Sequence, residues 1–286
     1  MKKTFALMIA VFAFAMVFTS CTKEGQYMPK QKISEIVHTK YYKMPMGTTI
    51  SYTEREVWSW NGKLLSYIDY YDANGDRSST SLFRYDGDNR IEEIDYKNAT
   101  AKYEYDGNSI KTISIFSQNG SLRGKYEFEH KGNTLTAINV TTNSGKSMEA
   151  LPFNPLCFFL PENAANQVME SAATKGSSRI VLTWSGKNVT VADISGSEMA
   201  TYKWTYDEYS NPFKALLDMG TDNASMIFSE NNVVREEVTT NNTTTATDFR
   251  YTYDKKYPVK KEWTVVEYSP LEMVEYNINC IDEYKY

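Results

Sequence analysis

Between residues 50 and 260 apolar and polar positions alternate in runs of about six to eight, the two-residue period of a strand with one face buried. The clearest unit is KYEYDGNSIKTISI, residues 102–115. Tyr103 and Tyr105 project from one face of an extended strand, while Lys102, Glu104 and Asp106 project from the other. Asp106, Gly107 and Asn108 tolerate the positive φ that reverses the chain, and Ile110, Ile113 and Ile115 return on a second strand. The unit is a β-hairpin.

The same grammar recurs with Trp60 before NGKLLSYI, Tyr85 before DGDNRIEEI, Tyr105, Phe128 before HKGNTLTAI and Trp184 before SGKNVTVADI. It continues with Tyr206 before DEYSNPFKAL, Phe228 before SENNVVREEV and Tyr253 before DKKYPVKKEW. An array of hairpins at a fixed spacing buries its apolar faces only collectively. Eight such units predict roughly sixteen strands. Residues 262–268 and 274–286 read as the most strand-like pair, with Val274, Tyr276, Ile278 and Cys280 on one face.

The grammar stops across residues 143–178. LPFNPLCFFLP, residues 151–161, is the most apolar part of the chain after its leader, and its prolines forbid a central strand. Residues 162–173 follow Pro161 with the composition of a short helix, so a helical insert is predicted near 160–173. Its expected role is to cover or plug one end of the sheet.

Each strand offers an aromatic or aliphatic face worth roughly 1.5–3 kcal/mol per buried large side chain, and an open sheet of this size would leave two pairing edges bare. Closing the meander removes both problems. The predicted fold is therefore all-β: an antiparallel meander of about sixteen strands closed into a flattened barrel, filled by large aromatics and the 151–173 insert. Residues 33–286 form one such domain.

The N-terminus adds an address. Lys2 and Lys3 precede an apolar run over residues 5–18 that ends in FTSC, too short to span a bilayer and followed by small residues. Residues 1–20 read as a lipoprotein signal peptide, Cys21 as the site of lipid attachment, and 21–32 as a tether. Acyl chains would then hold the protein to the outer membrane, on its periplasmic face or at the cell surface. Loss of Lys2 and Lys3 with the leader takes the net charge from −5 to −7, without a basic run, which argues against nucleic acid as a partner. Cys157 and Cys280 remain; in an exported chain they can pair, or both can stay free and buried.

YDEYSNPF at 206–213 and YDKKYPVK at 253–260, with YDGDN and YDGN, resemble the Tyr-Asp repeats of Rhs-type proteins. They look closer still to a family of uncharacterised Bacteroidetes lipoproteins with a porin-like β-barrel fold, in which a strand ends in YD and NP or YP opens the return strand. The units at Trp60 and Trp184 depart from it, with Asn61 and Ser185 in place of Asp, as do those at Phe128 and Phe228. The resemblance implies fold and location and carries over no activity.

Catalytic chemistry is not legible. The two histidines, His38 and His130, lack zinc-ligand spacing, and neither a nucleophile elbow nor a phosphate-cradling glycine loop occurs. DANGD, residues 72–76, has the alternating oxygens of a calcium loop but turn chemistry accounts for it. Glu92 and Glu93, or Glu236 and Glu237, point to opposite faces of a strand and read as solvated charge. No cofactor is expected. With 22 Tyr and 5 Trp, the aromatics are expected to fill the barrel, Trp58, Trp60 and Trp184 on buried faces. The expected function is a non-catalytic binding or structural module of the envelope, a glycan or an envelope protein being the partner. The alternatives are an outer-membrane-spanning channel and a glycan-active hydrolase.

Overall fold

A computed structural model describes residues 23–43, 47–142, 177–195, 199–217, 228–240, 243–269 and 274–286. The leader, Cys21, Cys157 and the helix expected at 160–173 lie outside them. The described residues hold seventeen strands and no helix. In chain order these are β1 (Glu35–Lys43), β2 (Thr49–Asn61), β3 (Leu64–Tyr71), β4 (Arg77–Tyr85), β5 (Ile91–Asp95), β6 (Ala99–Asp106), β7 (Ser109–Ser117), β8 (Leu122–Lys131) and β9 (Thr134–Thr142). After the insert come β10 (Ser177–Ser185), β11 (Asn188–Ser195), β12 (Ala200–Ser210), β13 (Asn231–Thr240), β14 (Thr243–Asp248), β15 (Arg250–Asp254), β16 (Tyr257–Ser269) and β17 (Val274–Lys285).

They form a nearly closed antiparallel barrel in which β1 pairs with both β2 and β17. A closed meander with every neighbour antiparallel needs an even number of strands, and seventeen is odd. The count resolves at Phe249, the single residue between β14 and β15. These are two halves of one continuous strand, the first paired with β13 and the second with β16. Counted that way there are sixteen positions, and β1 meets β17 antiparallel, from Glu35 opposite Lys285 to Tyr42 opposite Ile278.

The recurrent aromatics have a specific job at one end of the barrel. In seven hairpins the ladder shifts register immediately before one residue: Trp60, Tyr85, Tyr105, His130, Trp184, Tyr206 and Tyr253. The bulge swings that side chain toward the previous hairpin. For Tyr85, Tyr105, Trp184 and Tyr206 the polar tip there donates to the carbonyl of the residue paired with the preceding aromatic, whereas Tyr253 donates to Asp207 Oδ2 and His130 turns to Glu24. Tyr85 Oη reaches Leu65 O at 2.7 Å, Tyr105 reaches Ile91 O at 2.6 Å and Trp184 Nε1 reaches Leu135 O at 2.6 Å. Tyr206 bonds Val189 O in the same way. Tyr286 Oη to Pro258 O at 2.9 Å and Trp60 Nε1 to Ile33 O at 2.7 Å carry the ring across the chain termini.

This geometry corrects two of the eight units read from sequence. Phe128 is a buried residue within β8, and His130 holds the aromatic's place, since it stands two residues before Gly132 just as Tyr105 stands before Gly107. Phe228 lies in the connection before β13 and ends no strand. The strand pair formed by β1 and β17, closed by Tyr286, supplies the missing unit. The Asn-Pro pair at 211–212 does not open a return strand either, whereas Tyr257-Pro258 begins β16.

Residues 211–217 turn into the barrel instead. Asn211 Oδ1 accepts from Phe213 N at 2.9 Å, and Phe213, Leu216 and Leu217 are buried. Phe213 packs between Trp58 and Tyr284, at ring distances of 6.3 and 5.9 Å, and Tyr103 Oη donates to Leu217 O at 2.6 Å. Tyr27 joins them, buried and bonded to Pro212 O at 2.9 Å. Residues 23–32, the described part of the stretch read as a tether, thus run along the bulged end. Glu24 N donates to Asn108 O at 2.9 Å, and Ile91 N donates to Gly25 O at 3.0 Å. The described filling comes from these two segments and the aliphatic and aromatic side chains of β1–β13, with Tyr284 of β17.

The outer face is polar. Arg84 of β4 bridges Glu93 and Asp95 of β5, and Glu93 also meets Lys102 of β6 at 3.4 Å. Arg179 of β10 pairs with Glu129 of β8 at 2.5 Å, Arg235 of β13 with Asp248 of β14 at 2.8 Å, and Lys285 of β17 with Glu35 of β1 at 2.7 Å.

Candidate functional site

Among the described residues, the filling does not reach the whole length of the barrel. Along the inner face of β2, Trp58 is buried in the core, but two positions beyond Glu56 the rings and chains open to solvent, with Tyr52 51% and Ile50 40% exposed. β1 reads in parallel: Ile36 in the core, then His38, Lys40 and Tyr42. β17 differs: its inner positions stay buried from Tyr284 through Asp282 to Cys280 and Ile278.

Charged side chains meet on the tier where core gives way to vestibule. His38 Nδ1 donates to Asp282 Oδ1 at 2.7 Å, and its Nε2 donates to Glu56 Oε1 at 3.1 Å. Glu56 also accepts from Trp58 Nε1 at 2.8 Å, and Asp282 from Tyr284 Oη at 3.3 Å. Lys261 stands opposite Asp282 on β16. Burial alone would pull the His38 pKa down, but the hydrogen bonds and charges of Asp282 and Glu56 outweigh it and hold the ring protonated well above its ordinary range. Burial likewise pushes Asp282 up, and the His38 N–H and charge, with Lys261 and Tyr284, bring it below the usual carboxylate value. Two carboxylates, one imidazolium and one ammonium balance on this tier. With both ring nitrogens committed, His38 has no lone pair to offer a substrate or a metal.

A second acid lies across the interior. Glu236 of β13 accepts from Trp204 Nε1 at 3.0 Å, and its burial, opposed by that bond and by Lys261, pushes its pKa up to about 7. Tyr202, stacked on Trp204 with centroids 5.9 Å apart, is fully buried, and its hydroxyl has no hydrogen-bond partner among the described residues.

The wall opens beside this tier. β14 is paired only with β13, and residues 263–269 of β16 only with β17, so the two strands part at Phe249. A cleft of about 640 Å³ fills the fork, lined by Tyr41, Thr247, Arg250, Trp263, Asn279 and Cys280 among others. Cys280 is a free, buried thiol whose pKa burial raises to about 11, which leaves it inert.

Of the residues singled out from sequence, Trp58 is buried and Trp60 and Trp184 are half-buried, as expected. Asp72 Oδ1 accepts from Asn74 N and Asp76 N at 2.9 and 3.0 Å, an Asx turn rather than a cation loop. No group of His, Cys, Asp and Glu fit to hold a metal occurs among the described residues. Glu92, Glu93 and Glu237 face outward; Glu236 does not, and the reading of it as solvated charge was wrong. Sequence reasoning also missed the joining of His38, Glu56 and Asp282. A signal existed: each occupies an inward position of its strand, in phase with Ile36, Trp58 and Tyr284.

These features define a class, an antiparallel barrel of sixteen strand positions that is charged outside and, among the described residues, filled at one end. Among solved structures the chain is similar to a porin-like protein from Bacteroides uniformis, with a TM-score of 0.52 and 12% identity over 92% of this chain and 100% of that one. A porin-like protein from Bacteroides vulgatus gives 0.44 and 10%, over 89% and 98%. The first likeness establishes a porin-like fold alone, and the second is too distant to argue from. No family model matches the sequence, and no curated protein matches it.

Proposed function

We propose that this chain is an envelope lipoprotein of the outer membrane, anchored through Cys21, whose barrel is a non-catalytic binding or supporting module in water, with a glycan as its favoured ligand. The kinship with Tyr-Asp-repeat lipoproteins belongs to the same proposal. One observation carries it: the polarity of the wall. Arg84, Lys102, Arg179 and Arg235 with their carboxylates stand on the outer face, where a spanning barrel meets lipid and each Arg or Lys near the midplane costs about 2–4 kcal/mol. The aromatic and aliphatic side chains point inward instead. A porin-like topology with this polarity acts as a container. The commitment of both His38 nitrogens supports a non-catalytic role, and the exposed inner rings of the vestibule support sugar binding.

The test has two parts. Growth with a radiolabelled or clickable fatty acid is expected to label the wild-type chain and not Cys21→Ala; undiminished label on the variant would overturn the address. The Cys21→Ala chain is expected to fractionate as a water-soluble monomer and to give hits on a glycan array. Retention of that variant in the membrane as a heat-modifiable barrel would overturn the water-facing reading.

A further inference from the structure

The cleft at the fork of β14 and β16 holds polar groups that the fold leaves unused. All five tryptophans are described, and four of their indole N–H groups are bonded: Trp58 to Glu56, Trp60 to Ile33 O, Trp184 to Leu135 O and Trp204 to Glu236. Trp263, on the cleft wall, is the exception among the described contacts. Arg250 lines the same cleft and forms no ion pair among the described residues, because its neighbours are already neutralised, Asp248 by Arg235 at 2.8 Å and Glu262 by Lys260 at 2.8 Å. Asn279 accepts from Thr264 at 3.0 Å through Oδ1, which leaves its amide N–H groups to point elsewhere.

Lys261 lies 4.4 Å from the centre of the Trp263 ring. The cleft therefore combines an aromatic platform, donors from Trp263 and Asn279, and a guanidinium with its fork free. A guanidinium in this state suits a carboxylate bidentately, and the ring with flanking donors suits the hydroxylated face of a sugar. The volume, about 640 Å³, falls in the range of a ligand site for one or two rings.

We infer that this lateral cleft is a binding site for a carboxylate-bearing saccharide, Arg250 holding the carboxylate and Trp263 the sugar ring. The inference rests on the glycan reading above and gives it a place and a charge. The full chain is titrated with a galacturonic-acid oligomer and, separately, with its fully methyl-esterified form, while the five indole N–H resonances are followed by ¹⁵N-correlated NMR. The acid oligomer is expected to shift the Trp263 resonance and leave the four bonded indoles in place, and the ester is expected to bind at least tenfold more weakly. Arg250→Gln is expected to lose roughly tenfold to a hundredfold in affinity for the acid with an unchanged unfolding midpoint, since Arg250 packs on the surface. Trp263→Phe keeps the ring and is expected to lose several-fold, with its resonance absent. Equal binding of acid and ester, undisturbed by Arg250→Gln, overturns the acidic specificity and leaves glycan binding standing. Shifts confined to other indoles overturn the site. An absence of binding by either oligomer, with neutral glycans also silent, overturns both readings.

Discussion

Replacing His38 by Gln tests whether the charged tier holds the barrel together. The wild-type ring donates to Asp282 and Glu56 at 2.7 and 3.1 Å, and both acceptors are nearly inaccessible, at 2% and 4% exposed. A unit charge pair about 4 Å apart at an effective dielectric near 20 is worth about 4 kcal/mol. Desolvation offsets much of this in the intact cluster, but removing one partner leaves buried carboxylates uncompensated, at a cost of about 3–5 kcal/mol. His38→Gln is expected to lose that much in urea unfolding at pH 7. The pH profile supplies a second readout. The folded pKa of His38 is raised, so its contribution is fully present below about pH 6.5, the unfolded value. It is lost as pH rises through the folded value, at up to about 1.4 kcal/mol per pH unit. The variant is expected to lack this alkaline decline. His38→Gln combined with Asp282→Asn and Glu56→Gln leaves no buried carboxylate charge, with Lys261 the one charge remaining on the tier, and is expected to recover part of the loss. A cost under about 1 kcal/mol with the alkaline slope intact would refute a charged His38 as the centre of the tier.

Three smaller changes test neighbouring features by the same unfolding assay. Glu236, with its pKa raised from 4.5 to about 7, makes the folded state bind an extra proton, so stability should fall as pH rises between those values; Glu236→Gln should abolish that decline and gain up to about 3 kcal/mol at pH 8. Tyr202→Phe removes a buried hydroxyl with no partner among the described residues and is expected to be neutral or to stabilise by up to about 1 kcal/mol. Tyr105→Phe keeps the ring on Arg90, 4.3 Å from its centre, but strips Ile91 O of its donor, and is expected to cost about 1–2 kcal/mol.

The hairpin array was legible because alternation and turn chemistry are local: Gly62, Gly107, Gly132 and Gly186 stand in the left-handed region that their turns demand. The slot of His130 was misread because Phe128 satisfied the search for an aromatic, while the bulge that selects the slot is a property of strand pairing. His130 departs from its carbonyl-bonded counterparts in a way the fold explains. Its Nε2 turns to Glu24, at 3.1 Å, and Glu24 in turn accepts from Ile110 N at 2.7 Å. A carboxylate from the N-terminal segment thus completes the link between this hairpin and its predecessor. No local pattern could announce that link, nor the union of His38 with Asp282 across 244 positions. The plug at 211–217 was hidden for the converse reason: its Asn-Pro pair resembled a strand opening, and only burial of Phe213 and Leu217 reveals its use.

The placement of the charged tier follows from how far that plug extends. Below it, Trp58, Tyr284 and Phe213 close on one another, and inward positions must be apolar. Above it, the inward positions of β2 meet water, as Tyr52 does, while Cys280 and Ile278 of β17 stay covered. A residue at the boundary has one side in each medium, and only a group that bonds downward and is neutralised laterally is stable there. Glu56 accepts from Trp58 below and His38 beside it, and Asp282 accepts from Tyr284 below and the same imidazolium beside it. The tier is the interface between the filled and open halves of the barrel, and it seals the core against the vestibule. The fork at Phe249 opens on that level, beside Lys261 and Trp263, so the side entrance reaches the polar tier and stops at the core. A ligand held there meets charge and aromatic edges without breaching the packed half, which lets a single barrel be both a stable support and a binding site.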